Sequence, residues 1–320
     1  MTRVLVTGGS GFLGSSVVAR LADSGATVLS TDLVEAASIP DGAGFEAMDV
    51  TDPAGVREVF GSFRPEVVVH LASIVNPGEA TTPEVEFEVD VNGSRNVLEA
   101  CLEYGVDRIV VSSSGAAYGY HADNPAWITE DWPVRGTETF PYSRHKRLVE
   151  ELLADLRRSS PQLEQVVLRI GTILGATVDN QITALLEKHR LLKVAGHESP
   201  FVFIWDEDVV GVIVRGVADG PAGVYNVAGD GAMTVDEIAV TMGKSTLTIP
   251  AGLVRAGLAV ANRLGLTPHR PDQVDFLRYR PVLDNTRLKE TFGYTPDKTS
   301  RQAFAAWLET RRQSATSDRP

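Results

Sequence analysis

Tyr142 and Lys146 stand four residues apart in the run PYSRHK, which Pro141 opens. Proline suits the first turn of a helix, and positions i and i+4 of a helix share one face, so a phenol and an ammonium reach the same bound molecule. The chemistry open to such a pair is proton transfer at a hydroxyl. A free tyrosine, with a pKa of about 10, is too weakly ionised to serve as a base near neutral pH. An ammonium beside it, or a positively charged ring, favours the phenolate, and the ammonium keeps spare donors for a second group. The same spacing also occurs as an ordinary solvated helix pair, so the surrounding segments decide.

The run TGGSGFLG at residues 7–14 follows RVLVT and leads into the helical pattern SSVVARLADSG. Gly9, Gly11 and Gly14, or Gly8, Gly11 and Gly14, have the spacing that allows a tight turn, a close backbone approach to pyrophosphate and close helix packing. The helix N-terminus behind them offers free N–H groups and partial positive charge. Asp32 ends the second β-rich run and stands 18 residues after Gly14, placed to accept from both hydroxyls of an adenosine ribose. It would repel a 2′-phosphate, and Leu33 and Val34 bring no cation to offset that. These residues predict NAD rather than NADP as cofactor.

Strands and helices must hold the two motifs. Runs rich in Val, Ile and Leu recur at 3–7, 27–31, 66–72, 108–114 and 165–170, and helical patterns fall between them near 12–24, 53–62, 84–104 and 142–159. Near-continuous apolar strands separated by helices predict an α/β fold, a doubly wound parallel (Rossmann) sheet covered on both faces. Residues 1–175 read as the NAD-binding domain, with segments near 205–228 returning to it. Residues 176–312 read mainly as a smaller C-terminal α/β substrate lobe, with strands at 200–204 and 223–228. The apolar run from Pro250 to Leu266 reads as an amphipathic core helix, and residues 313–320, QSATSDRP, as a flexible tail.

Composition narrows the function classes. Of 320 residues, 43% are hydrophobic and 22% charged, as in an ordinary soluble globular protein, and the net charge of −12 with no long basic run argues against nucleic acid or an anionic membrane as partner. Cys101 is the sole cysteine, so an internal disulfide or thiolate metal cluster is excluded, and no metal site is expected. The first strand starts at Arg3 and no window holds 18 uncharged apolar residues, which predicts a cytoplasmic enzyme.

The glycine loop and YSRHK together resemble the extended short-chain dehydrogenase/reductases, the NAD-dependent epimerase/dehydratase group. DVTD (49–52), HLAS (70–73), VNGSRNVLEA (91–100), SSSGAAYG (112–119) and LRIGTILG (168–175) stand in that family's order. The resemblance implies a catalytic trio of Ser114, Tyr142 and Lys146. It implies that Gly8, Gly11, Phe12, Leu13 and Gly14 meet the cofactor's phosphates, that Asp32, Leu33, Asp49 and Val50 border its adenosine, and that Leu71, Ala72 and Ser73 pass beside its ribose. Asn92, Ser112, Ile170 and Thr172 complete the cofactor set, with Tyr142 and Lys146 themselves. The substrate would meet Ser114, Ala116, His121, Thr172 and Phe201. His70 and His145 read as structural.

Gly115 and Ala116 stand where the dehydratases carry acids, which disfavours elimination. Thr172 and Phe201 stand where nucleotide-sugar members usually carry an asparagine and an arginine. Phenylalanine has no fork for a pyrophosphate, so the pocket leans toward a smaller or more apolar substrate unless Arg190, Arg270, Arg278 or Arg280 supplies the charge. The first reading is an NAD-dependent alcohol dehydrogenase or ketone reductase acting on a small molecule. A nucleotide-sugar 4-epimerase with tightly held NAD is the second, and a non-catalytic NAD-binding regulatory protein the third. By resemblance the chain is a homodimer, paired through helices at 84–104 and 142–159.

Overall fold

The computed structural model describes residues 1–78, 81–264 and 274–317, with side chains described up to residue 313. Its strands are β1 (Arg3–Thr7), β2 (Thr27–Asp32), β3 (Ala43–Ala47), β4 (Val67–His70), β5 (Arg108–Ser114), β6 (Glu164–Ile170), β7 (Thr172–Leu174), β8 (Arg190–Val194), β9 (Phe203–Trp205), β10 (Gly223–Val227) and β11 (Ser245–Ile249). Seven of them form one sheet in the order β10-β6-β5-β4-β1-β2-β3, with every neighbouring pair parallel. The order reverses beside β1, which pairs with both β2 and β4. In open parallel sheets the crevice at the carboxyl ends of such strands is where ligands sit.

The apolar runs form these strands because both faces of the sheet are covered. Val4, Leu5 and Val6 are fully buried, and side chains of alternate hand enter two separate cores. On one face lies α1 (Phe12–Asp23); on the other lie α2 (Pro53–Phe63) and, after the short α3 (Pro83–Phe87), α4 (Ser94–Glu103) and α5 (Pro141–Ser159). Pro53 opens α2 behind the Asp52 cap, whose carboxylate accepts from Ala54 N at 3.0 Å. The helical pattern at 84–104 is not one regular helix: the π-helical turn Glu88–Gly93 separates α3 from α4.

The C-terminal part contains α6 (Gln181–Leu186), the parallel pair β8–β11, the pair β7–β9 and α8 (Val235–Met242). Phe201, Phe203, Phe304 and Trp307 centre its own core. Residues after 205 return to the sheet: α7 (Asp206–Ala218) packs beside α1, and β10 joins β6 as the edge strand.

Three expectations change. β3 escapes pattern reading because AGFEA carries no β-branched run; an edge strand needs less of one. The stretch expected as a core helix forms α9 (Ala251–Arg263), but it buries no residue, and Leu253 and Val260 are 65% and 60% exposed. It leans instead on α10 (Val274–Arg278) through an Arg255–Asp275 ion pair at 3.2 Å; Gly265 and Leu266 lie outside the described residues. After α11 (Thr286–Glu290), α12 runs from Ser300 through Ser317, past the tail boundary expected at 313, since QSATS contains no glycine or proline to stop it.

Candidate active site

Gly8 closes the turn after β1 with φ of 70°, and a Cβ there would lie 2.7 Å from Ala72 N. A Cβ on Gly14 would lie 2.0 Å from Gly8 O, so the helix can approach the loop only as glycine. Gly11 caps α1 with no side-chain bond, which leaves the first N–H groups of the helix facing outward. Asp32 accepts from Ser10 N at 3.1 Å and from Leu33 N at 2.8 Å, fixing its carboxylate at the rim of the loop. Ser10 Oγ is buried without a partner. A bare backbone cradle, an unsatisfied hydroxyl and an acid at the strand end together fit a dinucleotide.

β5 carries Ser112, Ser113 and Ser114 to the same crevice. Ser112 Oγ donates to His70 O at 3.2 Å, and Ser113 Oγ donates to the Glu150 carboxylate at 2.5 Å, so these two are strand-end hydrogen bonders. Beneath them lies a buried network. Arg169 bonds Glu150 through Nε and Nη2, at 2.6 Å for the closest pair, and gives Nη1 to Tyr118 Oη at 2.8 Å. Burial pulls the Arg169 guanidinium down, but the Glu150 charge and hydrogen bonds outweigh it and hold it above its usual range. Ser114 caps the 3₁₀ turn Gly115–Tyr118, accepting from Ala116 N at 3.2 Å, while its own bond to Ile170 O is long at 3.5 Å. That donor bond is weak, and Ser114 lines the cleft.

Pro141 opens α5 as the sequence predicts, and Tyr142 and Lys146 share the helix face that looks into the cleft. Lys146 is 7% exposed. Its Nζ donates to Ser112 O at 3.0 Å and lies 5.5 Å from the centre of the Tyr142 ring. Two N–H donors remain for other partners.

Behind the helix, Asp90 on the π-helical turn accepts from His145 Nδ1 at 2.9 Å, Ser73 Oγ at 2.9 Å and Ile74 N at 2.8 Å. Burial raises its carboxyl pKa, yet the His145 bond, the Lys146 charge and the Ile74 and Ser73 bonds prevail and hold it below the ordinary carboxylate value. His70 is enclosed between Thr7 Oγ1 at 2.7 Å and Ser94 Oγ at 2.9 Å, and burial drives its pKa down to about 3. It stays neutral. Both histidines are structural, as the sequence suggests.

A cleft of about 1690 Å³ runs from the glycine loop to Phe201 and Arg280 in the C-terminal part. It exceeds the roughly 300–1,000 Å³ typical of one small-ligand pocket, so a dinucleotide and a second molecule fit side by side. Of the residues singled out from sequence, Gly8, Gly11, Phe12, Leu13 and Gly14 line it, with Leu71, Ser73, Ser112, Ser114 and Ala116. Tyr142, Lys146, Ile170, Thr172 and Phe201 line it too.

Others lie apart from the lining. Asp32, Leu33, Asp49 and Val50 sit at or beyond the ends of β2 and β3; Asp49 is turned to Thr51, and Val50 is buried against Gly93. Ala72 packs on Gly8. Asn92 bonds Glu88 at 2.9 Å, and His121 gives Nε2 to Gly136 O at 2.6 Å.

Sequence reasoning left the pocket cation open among four arginines, and among the described ones Arg280 lines the cleft. Arg190 bonds Thr246 O at the lobe surface, Arg278 pairs with Asp275 at 2.9 Å, and Arg270 lies outside the described residues. Arg280 lines the cleft, its guanidinium 3.9 Å from the centre of the Phe201 ring. Phe201 is uncharged, but its ring lies beside a cation from elsewhere in the chain. Asp90 went unnoticed because its partners are 16, 17 and 55 residues distant.

Residues 4–228 match a sequence model described as the NAD dependent epimerase/dehydratase family. An uncharacterized protein of Mycobacterium tuberculosis is 25% identical over 308 residues, covering 94% of this chain and 82% of its own. The UDP-glucose 4-epimerase of Caenorhabditis elegans is 32% identical over 192 residues, covering 54% of each, so the chain spans about half the length of that relative. Among solved structures, UDP-glucose 4-epimerase of Thermus thermophilus in complex with NAD is 28% identical with a TM-score of 0.73, covering 97% of this chain and 99% of that one.

Proposed function

Since the chain belongs to the NAD-dependent epimerase/dehydratase family, an enzyme family whose cofactor is NAD, we propose that it carries out reversible hydride transfer at a secondary alcohol or ketone carbon, using Ser114, Tyr142 and Lys146. One observation carries this reading: all three side chains line the same cleft as the glycine loop. When bound, NAD supplies the hydride acceptor. Gly8, Gly11 and Gly14 with the N-terminus of α1 hold its phosphates, and Asp32 holds its ribose hydroxyls. Tyr142 takes the hydroxyl proton as the carbon is oxidised and returns it in the reverse direction. Lys146, braced on Ser112 O, favours the anionic phenol and gives its remaining donors to the cofactor's ribose. Ser114 donates to the substrate oxygen, where negative charge gathers during reduction.

A nucleotide-sugar 4-epimerase uses the same step and then returns the hydride to the opposite face. Similarity to the NAD-bound epimerase of Thermus thermophilus favours that second reading. The two part on cofactor bookkeeping. The purified enzyme is mixed with NAD and a panel of secondary alcohols, hydroxy acids and UDP-sugars while reduced-cofactor absorbance and product configuration are followed. A dehydrogenase releases NADH in proportion to product. An epimerase inverts a hydroxyl with no net absorbance change and keeps its cofactor through gel filtration. Tight NAD binding with neither result would leave only a non-catalytic role.

A further inference from the structure

Arg280 is held in an unusual way for a cation. Its Nη1 donates to Ser199 O at 2.8 Å and Ser199 Oγ at 3.1 Å, and Nε is fully covered with no partner. Among the described residues no carboxylate pairs with it. Phe201 lies on one side, its ring centre 3.9 Å from Cζ, and Phe276 lies 5.0 Å away. Phe276 stacks on Phe140 at 5.6 Å, and both rings meet Tyr120 edge-on. The guanidinium is thus fixed by an aromatic wall rather than neutralised. Ser199, which presents both acceptors, adopts φ of 41°, a left-handed conformation that is costly for any residue but glycine. Strained backbone and a half-buried cation with no carboxylate partner are both disfavoured in a folded chain, and together they mark a place that a ligand anion completes.

That place adjoins the chemistry. Leu283, three residues beyond Arg280, packs on the turn that follows Ser114: a Cβ on Gly115 would lie 3.1 Å from its Cδ2. Tyr120 stands within the fields of both Tyr142 and Arg280. Burial pushes the Arg280 guanidinium down to about 9, which leaves it charged at neutral pH. Among described residues lining the cleft, the cations are Lys146 and Arg280, against the carboxylates Glu86, Glu138 and Asp179. Lys146 serves the hydroxyl end. One guanidinium then remains for the substrate: it matches the charge of a monoanion, whereas the second charge of a diphosphate would face Glu86, Glu138 and Asp179 with no further cation among the described lining residues.

We propose that Arg280 anchors a carboxylate on the substrate, so that the hydroxyl oxidised at Tyr142 belongs to a hydroxy carboxylic acid. This rests on the oxidoreductase reading above for the reaction, but not for the anion subsite. The test is calorimetric binding of benzoate and of its neutral isostere benzamide to the NAD-loaded enzyme, beside NAD-dependent oxidation of 3-hydroxybutyrate and its methyl ester. Wild type is expected to bind benzoate at least about tenfold more tightly than benzamide. Arg280→Met should erase that preference with NAD affinity unchanged, Arg280→Lys should keep part of it, and Tyr142→Phe should keep all of it. Oxidation should favour the acid over the ester, and Arg280→Met should remove that bias too.

Equal binding of benzoate and benzamide to wild type would overturn the proposal, as would a preference that survives in Arg280→Met. UDP binding more tightly than benzoate, in a manner lost in Arg280→Met, would assign the arginine to a diphosphate and overturn it as well. Benzoate preference with Arg280 dependence but no hydroxy acid oxidised would uphold the carboxylate subsite and refute the reaction assigned to the cleft.

Discussion

Asp90 and His145 meet at 2.9 Å in the interior, and that bond joins two parts of the cleft that are far apart in the chain. His145 lies between Tyr142 and Lys146 on α5, while the other Asp90 oxygen holds Ser73 and Ile74 on the turn after β4. One carboxylate therefore sets the turn after β4 against the helix that carries Tyr142 and Lys146. Replacement by alanine leaves the buried His145 donor unmatched, at about 1–3 kcal/mol, together with the half-buried Ser73 and Ile74 donors. Asp90→Ala should lose about 3 kcal/mol or more in urea unfolding, with weakened NAD affinity. A variant as stable as wild type and equally tight for NAD would show that the bond joins nothing of consequence.

Ser114 is free to turn to a substrate oxygen because its resting bond to Ile170 O is 3.5 Å long. Loss of one such donor typically costs about 2.7–4 kcal/mol of transition-state stabilisation. Ser114→Ala should accordingly lower kcat by about 10²–10³ with little change in NAD binding or stability, measured by steady-state kinetics and thermal unfolding. A loss confined to KM would recast Ser114 as a binding group.

His70 gives stability a particular pH dependence. Its folded pKa is near 3 against an ordinary value of 6.5. Between those values the unfolded chain takes up a proton that the folded chain refuses, so stability is complete above about pH 6.5 and falls with acid by about 1.4 kcal/mol per pH unit. The depressed Asp90 carboxyl contributes only below the usual carboxylate range. Urea midpoints should drop between about pH 6.5 and 5 in wild type and far less in His70→Gln. Equal slopes in the two proteins would mean that the imidazole is not enclosed as described.

Arg280→Met should leave thermal stability unchanged or raise it, because the half-buried guanidinium has no carboxylate partner among the described residues and the aromatic wall of Phe201 and Phe276 accepts a thioether chain readily. Loss of several degrees in Tm would instead show that the Ser199 bonds support the lobe.

The sheet was legible because burial on both faces imposes an apolar run on each central strand; β1, β2, β4, β5 and β6 all announce themselves that way. β3 did not, since an edge strand of AGFEA needs no such run. The glycine loop and the Tyr142/Lys146 pair were legible because their chemistry is local: a turn, a helix start, a spacing of four. The side chains of Asp90 and Arg280 have their hydrogen-bond partners 16 to 81 residues away, so neither bond has a local signature. The exposure of α9 was equally hidden, because amphipathic spacing reports that a helix has an apolar face and not what covers it.

Tyr142 as the group that moves the hydroxyl proton is the claim on which the rest stands. The most direct measurement is single-turnover hydride transfer with Tyr142→Phe loaded with NAD at wild-type affinity, using the best substrate found for the wild-type enzyme. The account predicts loss of essentially all transfer with cofactor binding intact; a variant retaining more than about a tenth of the wild-type rate would contradict it.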